Sequence, residues 1–85
     1  MELHEIKSFE DYKAWLAELD SACRIADGEI VFEWGHYGIA LSECDSYERI
    51  LHWVYHLSHK SWVTPAILRR FILLATTHHG LKPFV

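Results

Sequence analysis

Nothing in the 85-residue chain approaches the run of about 18 apolar side chains that a membrane-spanning helix requires. There is no signal-peptide pattern and no polybasic tail, so the expectation is a soluble, cytoplasmic protein. Cysteine is scarce: Cys23 and Cys44 are too few for a secreted disulfide framework, and both read as reduced thiols, Cys23 on an apolar helix face. Motifs that commit a chemistry are missing as well. The chain has no Gly-rich phosphate loop, no GxSxG elbow, no HExxH pair and no cysteines at metal-ligand spacing, and its Ser, His and Asp residues lack the spacing of a triad. Linkers, internal repeats and low-complexity tracts are also absent, which leaves residues 1–85 as a single compact α+β domain.

Apolar side chains are plentiful. They make up 51% of the residues and include twelve aromatics, four of them Trp. A domain this small buries only about 60–65% of its unfolded surface, so such a supply exceeds what one copy readily hides. The net charge of −4 conceals a division. Residues 1–45 carry eleven acidic and three basic side chains, whereas residues 46–85 carry five basic side chains against Glu48 alone. Five of the seven histidines also lie in the second half. Such asymmetry points either to an interaction surface or to two halves that complement each other.

In chain order, residues 1–7 read as a short strand of poor alternation. Ser8 then caps a helix whose apolar stripe is Phe9, Tyr12, Leu16, Leu19, Cys23 and Ala26, with Trp15 and Ala22 beside it and Asp27-Gly28 as the stop. Residues 29–42 alternate as a β-hairpin. A two-residue turn at Gly35-His36 sets Trp34 opposite Tyr37, Phe32 opposite Ile39 and Ile30 opposite Leu41, which gathers all six on one face. Two strands alone are marginal, so a third is expected from a terminus or a neighbouring subunit.

Asp45 and Glu48 have capping-box spacing at the head of a second helix, with Tyr47, Ile50, Leu51, Val54 and Leu57 inward and Arg49, His52, His56 and His59 outward. Thr64-Pro65 opens a third helix, with Ile67, Leu68, Phe71, Leu74 and Ala75 inward and Gly80 as its stop. Leu73 breaks the pattern by falling among Arg69, Arg70, Thr76 and Thr77, where residues 81–85 or another chain must cover it.

The fold class that follows is α+β: helix, antiparallel hairpin, then two helices on the hairpin's apolar face. His52, His56 and His59 follow one another at helical spacing and can converge on a metal ion if Glu48, His78 or His79 joins them, although a solvated histidine face is the plainer reading. Cys44 opens a helix, which favours a thiolate, but Glu43 and Asp45 oppose its ionisation. Residues 46–79 also have the outline of a helix-turn-helix, in which Arg69 and Arg70 would meet DNA, yet five basic side chains are a thin supply beside an acidic half. A further alternative has the acidic half bind a basic protein or mimic nucleic acid. The leading expectation is a non-enzymatic module with no cofactor that forms a homodimer or docks a protein partner. Leu73, Arg69, Arg70, Trp62 and Trp53 are its expected interface.

Overall fold

The computed structural model describes residues 8–82, so the expected strand at residues 1–7 and the tail residues 83–85 lie outside the described residues. The order is α1 (Phe9–Ala22), β1 (Cys23–Ala26), β2 (Glu29–Phe32), β3 (Tyr37–Ala40), a 3-10 turn (Leu41–Glu43), α2 (Tyr47–Leu57) and α3 (Pro65–His78). The three strands form one antiparallel sheet in the order β1-β2-β3. The α+β class and the two C-terminal helices agree with the sequence pattern.

The first helix stops one turn earlier than its periodicity suggested. Ser8 caps it as expected, its hydroxyl accepting the Asp11 N–H at 3.1 Å, but Cys23 is already extended at φ −145°. Cys23–Ala26 is instead the third strand that the hairpin required, and it is supplied from within the chain. Asp27 and Gly28 take φ values of 51° and 78°, the left-handed pair of a two-residue hairpin turn that matches the natural strand twist. Asp-Gly therefore reverses a strand here rather than terminating a helix.

The second hairpin is also shifted. Ile30 faces Ile39 and Phe32 faces Tyr37, with residues 33–36 as a four-residue loop in place of the expected two-residue turn. A slip by an even number of residues keeps side chains on their original faces, so Ile30, Phe32, Tyr37 and Ile39 still share the inner side. Trp34 drops into the loop and is exposed, while Leu41 is buried in the 3-10 turn. The cause lies elsewhere in the chain. Gly35 sits so close to the Trp62 indole that the ring occupies the space a Cβ would need, and His36 closes the loop at φ 48°.

On the inner face of the sheet, α3 lies across β1 and β2, α1 packs beside it at β1, and α2 packs on α3. Phe32 is the centre of this core, with the rings of Trp62, Phe71 and Tyr37 at 5.6, 5.9 and 6.3 Å. Ile30, Ile39, Ile50, Leu57, Ile67 and Ala75 complete it.

Helix punctuation follows local chemistry. The N-cap of α2 is Ser46, not Asp45: the Ser46 hydroxyl accepts the Arg49 N–H at 3.3 Å, and Asp45 pairs with the Arg49 guanidinium at 3.5 Å instead. Thr64 caps α3 ahead of Pro65. At the other end Gly80, at φ 68°, allows the Gly80 and Leu81 N–H groups to reach the carbonyls of Thr77 and Thr76, a Schellman closure. The covered arc of α3 is wider than its apolar stripe, taking in Ile72 and Thr76. Thr76 can be buried because its hydroxyl donates back to the helix, 2.7 Å from the Ile72 carbonyl and 3.2 Å from that of Leu73.

Candidate interaction surface

The residues that sequence reasoning offered as functional fall into two groups, those the fold uses internally and those it leaves outward. Arg70 belongs to the first. Its Nε donates to the Cys23 carbonyl at 3.1 Å and its terminal nitrogen meets the Asp20 carboxylate at 3.0 Å, so it ties α3 to the end of α1 and to the start of β1. Trp62 is likewise half-buried, wedged between Gly35, Phe32 and Tyr37. Trp53 is half-buried too, and two imidazoles meet it edge-on, His52 at 5.6 Å and His56 at 5.4 Å. Arg69 and Leu73 face outward, Leu73 with 44% of its surface exposed.

The histidines of α2, and His59 just beyond its end, lie against aromatic neighbours. His56 also stacks on Tyr37 at 6.4 Å, and the His59 ring lies edge-on to Tyr55 with Nδ1 3.0 Å from the Tyr55 carbonyl. Among the described residues no three His, Cys, Asp or Glu side chains come together in an arrangement able to hold a metal ion, so the structure does not assemble His52, His56 and His59 into a site. His79 reaches the Leu41 carbonyl at 2.7 Å and pins the end of α3 to the 3-10 turn.

Both thiols are fully buried. Burial pushes the Cys23 thiol up to about 12, with Arg70 opposing the rise, and burial together with Glu43 and Asp45 pushes Cys44 up to about 11. Cys23 sits at the junction of α1 and β1 rather than on a helix face. Thiols held neutral in this way are poor nucleophiles.

The most conspicuous outward features are apolar side chains assigned inward by periodicity. On α1, Phe9, Tyr12 and Leu16 are exposed, and only Leu19 and Ala22 of that helix are fully buried. Lys13 places its ammonium 4.8 Å from the Phe9 ring centre. On α2, Tyr47, Leu51 and Tyr55 form a ridge at four-residue spacing, exposed by 41, 54 and 70%. Ile50 and Leu57 of the same helix are buried, so the apolar set of α2 is split between two faces. The Tyr47 hydroxyl donates to the Lys82 carbonyl at 2.7 Å, at one end of the ridge. Its spacing was visible in the sequence, but the division between covered and open was not.

These two stripes differ in charge. Helix α1 carries Glu10, Asp11, Glu18 and Asp20 against Lys13, whereas α2 carries one Glu and one Arg. No helix among the described residues is long and apolar enough to cross a membrane. No protein-family model, curated protein or solved structure matches the chain.

Proposed function

We propose that this chain is a non-enzymatic interaction module that acts as a homodimer, a second copy meeting apolar side chains exposed on its helices. The single observation that carries this reading is the exposure of aromatic and aliphatic rows on α1 and α2, outside the buried core. Scattered apolar side chains are ordinary on a protein surface, but grouped rows along a helix are the mark of a contact face. Leu73 and Arg69 on the open side of α3 add a smaller outward feature of the same kind.

Sedimentation velocity over a range of protein concentrations tests the proposal. The expected result is a species of twice the 10.0 kDa chain that gives way to single chains on dilution. A single chain at every concentration overturns it.

A further inference from the structure

We draw no further inference here: the strongest candidate, the exposed apolar patch of Leu51 and Tyr55 on the outward side of α2, carries nothing because nothing in the structure shows what covers it.

Discussion

Gly35→Ala is the substitution whose cost the structure specifies most directly. An added Cβ would fall within the Trp62 indole, which is not the loose end of a flexible chain but a ring packed on Phe32 and Tyr37. To admit a methyl group, either the loop at residues 33–36 retreats or the indole swings outward. Overpacking of this kind costs about 1–3 kcal/mol, and losing two aromatic pairs costs a similar amount, about 0.5–1.5 kcal/mol each. Gly35 is not in the left-handed region, so Ala gains part of this back, up to about 1 kcal/mol, by restricting the unfolded chain. The net expectation is a destabilisation of about 1–2 kcal/mol, or a Tm lowered by roughly 5–15 °C for a domain of this size.

Gly38→Ala is the matched control. The atoms a new Cβ would meet there are the Glu29 carboxylate oxygens at 3.3 Å, which can move into solvent. Replacing a glycine within a strand also removes its entropic cost, so this variant is expected to melt at or slightly above the wild type. Thermal unfolding followed by far-ultraviolet circular dichroism, at one protein concentration because a dimer's Tm depends on it, compares the two. If Gly35→Ala melts within about 2 °C of Gly38→Ala, Trp62 does not sit on the loop and the explanation for the shifted register fails.

Arg70→Met keeps the aliphatic packing but removes the donors to the Cys23 carbonyl and the Asp20 carboxylate; a loss of about 1 kcal/mol is expected by chemical denaturation, little of it from the ion pair because Asp20 is largely exposed. The two thiols should resist a disulfide reagent at mildly alkaline pH in the folded protein and react at once in denaturant, with immediate labelling of the native state counting against their burial. Their folded-state pKa values, about 12 and about 11, lie above the ordinary value of 9.0, so the folded state favours the protonated form. The associated stability is therefore complete below pH 9.0 and lost as the pH rises toward 11 and 12. A Cys23→Ala, Cys44→Ala variant should show a shallower alkaline decline. Gly28→Ala forces a side chain onto a turn position at φ 78° and should cost about 1 kcal/mol in the same melting assay, with no loss excluding the two-residue turn.

What the sequence disclosed was mainly local. Ser8, Thr64, Pro65 and Gly80 mark helix ends because capping needs only neighbours in the chain, and the structure uses each of them in that way. The inner face of the sheet was legible from alternation. The beginning of β1 was not: Cys23 and Ala26 satisfy a helical period as well as a strand, and Asp-Gly serves either as a helix stop or as a hairpin turn. What separates the two is the pairing of Cys23–Ala26 with β2, which is tertiary.

The hairpin register departs from the sequence pattern for a related reason. Gly35 fits the first position of a tight turn, whereas it is a glycine because an indole 27 positions later lies against it. The outward side of α2 is not legible in the sequence because periodicity gives the direction of an apolar stripe but not how wide an arc the neighbouring elements cover. Thr76 shows the converse on α3, a polar residue whose own helix satisfies its hydroxyl, so that it packs as an apolar one.

The central claim is that a second copy meets the apolar side chains exposed on α1 and α2, and isotope-filtered NOE spectroscopy measures such a contact directly. A mixed sample, with one population labelled and the other not, reports only contacts between chains. Cross-peaks between chains are predicted from the exposed side chains of these helices, Phe9, Tyr12 and Leu16 on α1 or Leu51 and Tyr55 on α2. A sample that sediments as single chains at every concentration, or a dimer with no interchain peaks from either helix, would contradict the account.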